Sequence, residues 1–241
     1  VDGLVGSEMC IRDRNNPYGL QIHKYDNTQP ETLEYLSRIR KVLDKYDAIS
    51  VGEIVSENPL NVVGEYANDQ RLHMAYCFEF LSEDFNFSDT NKIVDQFFHN
   101  NPNSWPCWSF SNHDSMRIAS RVNKPCREIM QKLMELKGNI CIYQGEELGL
   151  QETEVQFKDL QDPFGKNFWP EFKGRDGCRT PMPWNSNEIN LGFSEKNSWL
   201  PVNPDYAIKS VERQQQNPDS MLNNTKAVSY THLRAHETIN H

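Results

Sequence analysis

Apolar positions between residues 30 and 145 recur with two alternating periods. Pro30 opens a stretch, PETLEYLSRIRKVLDKY, in which Leu33, Leu36, Ile39 and Leu43 fall at helical spacing, and Glu31 and Glu34 suit the positive end of the helix dipole. Residues 48–54 (AISVGEI) form a short apolar run that reads as a strand. So do 73–80 (HMAYCFEF), a segment within 106–114 (PCWSFSNHD) and 138–145 (GNICIYQG). Between them, 88–98 (SDTNKIVDQFF) begins with a cap-like serine and continues at helical spacing. Residues 126–136 (CREIMQKLMEL) place Ile129, Leu133 and Leu136 on one helical face. Such alternation implies right-handed βαβ units around a parallel sheet. Beyond residue 150 the periodicity stops. A Pro-, Gly- and Trp-rich stretch runs to residue 204, and a loop of that length is usually functional or a lid over a site. Residues 204–216 (PDYAIKSVERQQQ) then read as one last helix.

Four strands are half of a (β/α)8 TIM barrel, and too few to close one, because such a barrel takes about 250 residues. The fold expected is therefore α/β, a partial barrel followed by a long irregular loop region. An open doubly wound sheet lacks support: no G-x-G-x-x-G follows the first strand, and GEELG (145–149) has no Lys-Ser/Thr of a phosphate loop. The two ends differ from the middle. Residues 1–14 (VDGLVGSEMCIRDR) and 223–241, above all AVSYTHLRAHETINH from 227, show no clear periodicity and resemble translated adapter sequence. The barrel piece is therefore expected over 15–222, with an artificial start and stop. The first stretch is not a signal peptide, because no basic segment precedes an apolar one.

Composition narrows the partners. The 241 residues are 37% hydrophobic and 11% aromatic, enough for a core, and the net charge of −9 argues against nucleic acid. No run approaches the length of a membrane span, so no membrane is expected as a partner. The six cysteines (Cys10, Cys77, Cys107, Cys126, Cys141, Cys178) lie at least 15 residues apart, which excludes a zinc knuckle or C-x-x-C pair. Cys77, Cys107 and Cys141 fall in strand-like runs, as expected for reduced core thiols of a cytoplasmic protein. The tryptophans Trp105, Trp108, Trp169, Trp184 and Trp199 read as loop packing ahead of sugar-stacking surface.

Two strand-like runs end in ionisable groups: Val51-Gly52-Glu53-Ile54 and Phe110-Ser111-Asn112-His113-Asp114. Carboxylates at the C-terminal ends of parallel strands are where barrel enzymes keep their chemistry. Glu53 and Asp114 thus point to acid/base work on a sugar-like substrate. On the residues alone, Glu53 serves equally as an exposed loop carboxylate, and a His-Asp pair is more often a structural hydrogen bond. Arg175 beside Asp176 reads as a loop salt bridge of little energy.

The blocks NPYGLQIHKYDNTQPE, VGEI, LHMAYCFEFL, FSNHDSMRIASR, IYQGEELGL, LQDPFGKNFWPEFKGRDGCRTPMPW and GFSEKNSWLPV together resemble the α-glucosidase branch of the α-amylase family (glycoside hydrolase family 13). The resemblance implies barrel strands five to eight, with the first four strands and a C-terminal β-domain absent. It makes Glu53 the general acid/base, whose pKa burial and a neighbouring carboxylate would raise. Asp114 becomes the carboxylate that stabilises an oxocarbenium-like transition state, and His113 a sugar-hydroxyl ligand. Arg175, with Arg179 second, would close the non-reducing end of the pocket, and Glu152 would orient Arg175. His23 and His73 are not assigned to the site. No cofactor or metal is implied, and the partner is a disaccharide or small oligosaccharide; the oligomeric state stays open.

One departure bears on activity. The family nucleophile sits in a D-G-F-R-x-D motif, and none occurs here; GRDG (174–177) belongs to another block. The segment from Arg121 to Gly138 is also a few residues short of the family pattern. The expectation is an exo-acting retaining α-glucosidase as parent protein, and a chain inactive and marginally folded by itself. Two alternatives remain: a transglucosylase or sucrose isomerase of the same family, and a non-catalytic amylase-like binding ectodomain, in which the acid and the His-Asp pair tend to be lost.

Overall fold

The computed structural model describes residue 25 and residues 28–56, 58–82 and 85–237. The 1–14 segment with Cys10, the 15–24 part of the first family-like block, His23 and residues 238–241 lie outside the described residues.

Four parallel strands form one sheet in chain order: β1 (Val51–Gly52), β2 (Met74–Cys77), β3 (Pro106–Trp108) and β4 (Asn139–Ile140). The register pairs Val51 with Met74, Tyr76 with Cys107, and Trp108 with Ile140. Helix α1 (Pro30–Leu43) precedes β1, and helices α2 (Pro59–Tyr66), α3 (Thr90–Asn100), the single turn α4 (Ile118–Arg121) and α5 (Cys126–Met134) separate the strands. This is the partial barrel expected from the alternation.

The strands are shorter than their apolar runs. Only two residues of 48–54 pair, and 78–81 of the second run turns into a 3-10 helix. Helix α2 has no counterpart in the periodicity, because Leu60, Val62, Val63, Gly64 and Tyr66 are buried around most of its circumference. Gly64 admits the close approach of Asn101, whose Oδ1 would stand 1.9 Å from any added Cβ.

Alternation along the strands sorts side chains between two faces. Ala75 and Cys77 are fully buried beneath the helices. The core there centres on Trp108, with ring centroids of Phe80 and Phe97 at 4.9 and 5.5 Å. Its indole N–H is satisfied by the Lys137 carbonyl at 2.7 Å, which lets a polar atom sit at the core's edge. The opposite, concave face carries Met74 and Tyr76. The Tyr76 hydroxyl reaches Cys141 Sγ at 3.5 Å, across β3. Val51 shares this face with its register partner Met74 and is 46% exposed, so among the described residues the concave side is open at the β1 edge. Burial pushes the Cys77 and Cys107 thiols up to about 12, and no disulfide joins the described cysteines.

After β4 no further strand occurs among the described residues. The chain runs through 3-10 turns and a short helix α6 (Pro163–Asn167) around two small apolar clusters. The single helix expected over 204–216 is two: a 3-10 stretch Pro204–Lys209 and α7 (Val211–Gln216). Ser210 between them is extended (φ −59°, ψ 151°), because Val211 and Glu212 donate instead to the carbonyls of Pro183 and Trp184. Helix α8 (Met221–Glu237) crosses α5, seating Met221 and Val228 on the main core and Leu222 on the second cluster. Residues 223–237, aperiodic in sequence, are thus helical.

Candidate active site

Glu53 follows β1 directly, and Asp114 lies six residues beyond β3, so both stand at C-terminal strand ends. Glu53 is two residues from Val51 and therefore projects from the concave face. It is exposed, contrary to the burial its expected acid role requires. The reason is local: β1 is the edge strand, and no described residue covers its concave side.

Asp114 is held far more firmly. Its loop begins with an Asx turn, in which Asn112 Oδ1 accepts the Asp114 N–H at 2.9 Å. Two arginines converge on its Oδ1: Arg175 Nη1 at 3.0 Å and Arg179 Nη2 at 2.6 Å. Its other oxygen faces His113 Nε2 at 3.3 Å, and Arg179 Nε donates to the His113 carbonyl at 2.6 Å. His113, Asp114, Arg175 and Arg179 therefore form one cluster, although more than 60 residues separate the pairs.

Glu152 does not orient Arg175. Its Oε2 accepts the Arg117 N–H at 2.9 Å, and its carboxyl packs against Gly177, where an added Cβ would come within 2.2 Å of Oε1. Burial raises the Glu152 pKa. The group that orients Arg175 is Asp162, which the sequence did not single out. Its side chain is fully buried and accepts from Arg175 Nε and Nη2 at 2.9 and 3.0 Å, and from the Arg175 and Phe164 N–H groups. Burial opposes its ionisation, but these Arg175 hydrogen bonds prevail and hold its carboxyl below the ordinary range. The same contact raises Arg175 further. Its guanidinium also stacks over Phe164, 5.2 Å from the ring centroid.

The local signal for Asp162 was weak: it caps α6 ahead of Pro163, a common helix start. Only the fold reveals that Arg175, 13 residues on, returns to it. Asp176 is no salt-bridge partner of Arg175; its Oδ2 accepts the backbone N–H groups of Gln161 and Asp162. His73 stays outside the cluster, with Nδ1 against Ser50. Of the tryptophans, Trp108 is core, Trp169 packs on Phe157, and Trp105, Trp184 and Trp199 are exposed. Among the described residues, no three His, Cys, Asp or Glu side chains form a metal-binding group. No described helix is long and apolar enough to cross a membrane.

Comparison with known proteins places the chain among glucosidases and glucosyl-transfer enzymes by similarity. A probable α-glucosidase of Rhizobium meliloti is 44% identical over 218 residues, covering 86% of this chain and 39% of its own length. An oligo-1,6-glucosidase of Heyndrickxia coagulans is 27% identical, covering 92% and 48%. The solved structure of the α-glucosyl transfer enzyme XgtA superposes with a TM-score of 0.83 at 43% identity, over 90% of this chain and 42% of XgtA. An isomaltulose synthase of Erwinia rhapontici shares the fold, with a TM-score of 0.76 at 22% identity. The chain thus spans about two fifths to one half of the length of these relatives. The catalytic-domain profile of the α-amylase family matches residues 7–240. With its consecutive parallel β/α units and strand-end carboxylates, the chain belongs to the α-amylase family of glycoside hydrolases.

Proposed function

We propose that this chain supplies the acid/base and the transition-state carboxylate of a retaining, exo-acting α-glucosidase, whose nucleophile stands on the strand beside β1. The observation that carries this is the spacing of strand ends. Glu53 follows β1 and Asp114 lies in the loop six residues beyond β3, and the two strands that carry them are two strand spacings, about 10 Å, apart along the sheet. A retaining pair needs its carboxyls about 5–5.5 Å apart, close to one strand spacing. Glu53 therefore pairs with a carboxylate on the neighbour that the open edge of β1 would receive, and not with Asp114. On this reading Glu53 becomes covered when that neighbour is present, and protonates the leaving glycosidic oxygen.

Asp114 then faces the developing positive charge at the anomeric carbon. Arg175 and Arg179 fix its Oδ1, which leaves Oδ2 and His113 to meet sugar hydroxyls. The substrate is a disaccharide or short oligosaccharide with an α-linked terminal glucose. The buried free thiols favour a reducing, cytoplasmic setting.

The test is turnover of p-nitrophenyl α-glucoside or maltose. The 241-residue chain alone should show none. Joined to the amino-terminal barrel half of the Rhizobium meliloti relative, it should turn over substrate, and Glu53→Gln should remove that activity. Turnover by the chain alone, abolished by Glu53→Gln, would overturn the proposal. A second reading, glucosyl transfer to an acceptor sugar, is favoured by the likeness to XgtA; glucosylated products from maltose would identify it.

A further inference from the structure

We propose that Arg117 is a positioning residue for the Asp114 cluster: its buried guanidinium locks the turn bearing Arg175 and Arg179 to the loop bearing Asp114. The inference rests on the reading of Asp114 above. Arg117 closes the Asp114 loop, is 1% exposed, and reaches two other segments at once. Nη1 donates to the Gln144 carbonyl at 2.7 Å, in the turn after β4. Nη2 donates to the Cys178 carbonyl at 2.9 Å. Its own N–H is held by Glu152 at 2.9 Å. Three segments therefore meet at one side chain.

Cys178 is the decisive partner, because it lies between the two arginines that grip Asp114. Its Sγ contacts the Arg175 carbonyl at 3.1 Å, and Arg179 follows it directly. The Tyr143 hydroxyl donates to the same Cys178 carbonyl at 3.0 Å, and the Tyr143 ring lies 5.0 Å from the Arg117 guanidinium. The closeness is built into the backbone. A Cβ on Gly145 would come 2.9 Å from Arg117 Nη1, and Gly145 has φ +92°.

The chemistry suits positioning more than charge neutralisation. The carboxylates of Glu146, Glu147 and Glu152 lie close enough to feel the guanidinium, yet its side-chain hydrogen bonds go to carbonyl oxygens. Carbonyl bonds fix backbone geometry, and the planar fork of arginine can hold two at a set angle. A lysine keeps the charge but has no fork. Arg117→Lys should therefore release the 175–179 turn without removing the buried cation.

The experiment is hydrogen–deuterium exchange of the full 241-residue chain, with the side-chain Nε–H signals of Arg175 and Arg179 as a direct readout. Arg117→Lys should speed exchange across 175–180 about tenfold and move the Arg179 signal, whose acceptor is the His113 carbonyl, toward the free-arginine position, while Arg175 stays on Asp162 and β2 and β3 keep their protection. In Arg117→Ala, millimolar guanidinium should restore part of the lost protection. Tyr143→Phe, which keeps Arg117 but removes the second donor to Cys178, should give a smaller rise of about threefold in the same segment. Unchanged exchange at 175–180 in Arg117→Lys overturns the proposal, and so does a loss spread evenly over β2 and β3. If Arg117→Lys does not fold, Tyr143→Phe decides in the same way. The readout does not depend on turnover, so it fails or succeeds separately from the glucosidase assay.

Discussion

The two halves of the molecule are held together by different forces. Residues 30–140 form β/α units whose helices bury apolar faces against one sheet, with Trp108, Phe80 and Phe97 at the centre. Residues 143–216 contain no strand among those described, and their two small apolar clusters are joined by polar ties: Asp162 to Arg175, Arg117 to Gln144 and Cys178, Gln214 to the Leu148 and Lys209 carbonyls. The site draws on both. Glu53 comes from the apolar half and stands exposed at the end of a two-residue edge strand. Asp114 comes from the same sheet but is held by arginines of the polar half. A regular sheet places a carboxylate at a strand end; an irregular polar layer is what fixes its orientation.

That contrast can be broken or sharpened by measurement. The largest effect belongs to the apolar half. Trp108→Ala should cost about 4 kcal/mol in urea denaturation, since a fully buried aromatic leaves a cavity. A loss under about 1 kcal/mol would deny that apolar packing dominates there.

The polar half should instead reveal itself through pH. Glu146 is buried, its Oε2 accepts the Tyr143 N–H at 2.8 Å, and Oε1 has no hydrogen-bond partner among the described residues. Burial raises its pKa from 4.5 to about 7. Between those values the folded state keeps a proton that the unfolded state has released. The stability Glu146 contributes is complete below pH 4.5 and is lost as pH rises through 7, a difference of about 3 kcal/mol. Glu146→Gln should flatten this slope and be the more stable protein at pH 8. A wild-type stability unchanged between pH 5 and 8 would contradict the assignment.

Asp162→Ala should cost about 2 kcal/mol, below the range for fully buried pairs because Arg175 is 27% exposed. Its sign is opposite to that of Glu146. The depressed carboxyl adds stability above the ordinary aspartate range, lost as pH falls through its folded value. The same substitution should loosen Arg175 at Asp114, seen as faster exchange of its side-chain N–H. The smallest effect is expected at the surface: Lys173→Ala removes the exposed pair with Glu154 at 2.8 Å and should leave the denaturation midpoint unchanged.

The sequence made the apolar half legible and the polar half only partly so. Each strand falls within its apolar run, because burial of alternate residues writes itself into neighbouring positions. The runs overstate the strands, since 78–81 turns away as a 3-10 helix and pairing at the edge covers only Val51 and Gly52. Helix α2 escaped because a helix buried on most sides shows no polar stripe. Strand-end position and motif single out Glu53, His113 and Asp114, of which the fold joins His113 and Asp114 to Arg175 and Arg179. Asp162 and Arg117 are not singled out, because their partners lie 13 to 61 residues away and no local period encodes such a return. The family resemblance implies that Glu152 orients Arg175, whereas the fold sets it on the Arg117 backbone.

The central claim is that Glu53 and Asp114 are two of three carboxylates and that neither is the nucleophile. Mechanism-based trapping tests it most directly. The chain joined to the amino-terminal barrel half of the Rhizobium meliloti relative would be treated with 5-fluoro-α-glucosyl fluoride, and the labelled peptide located by mass spectrometry. The expected label lies on a carboxylate outside this chain, at the end of the strand that pairs with β1. A glucosyl label on Glu53 or Asp114 would contradict the account.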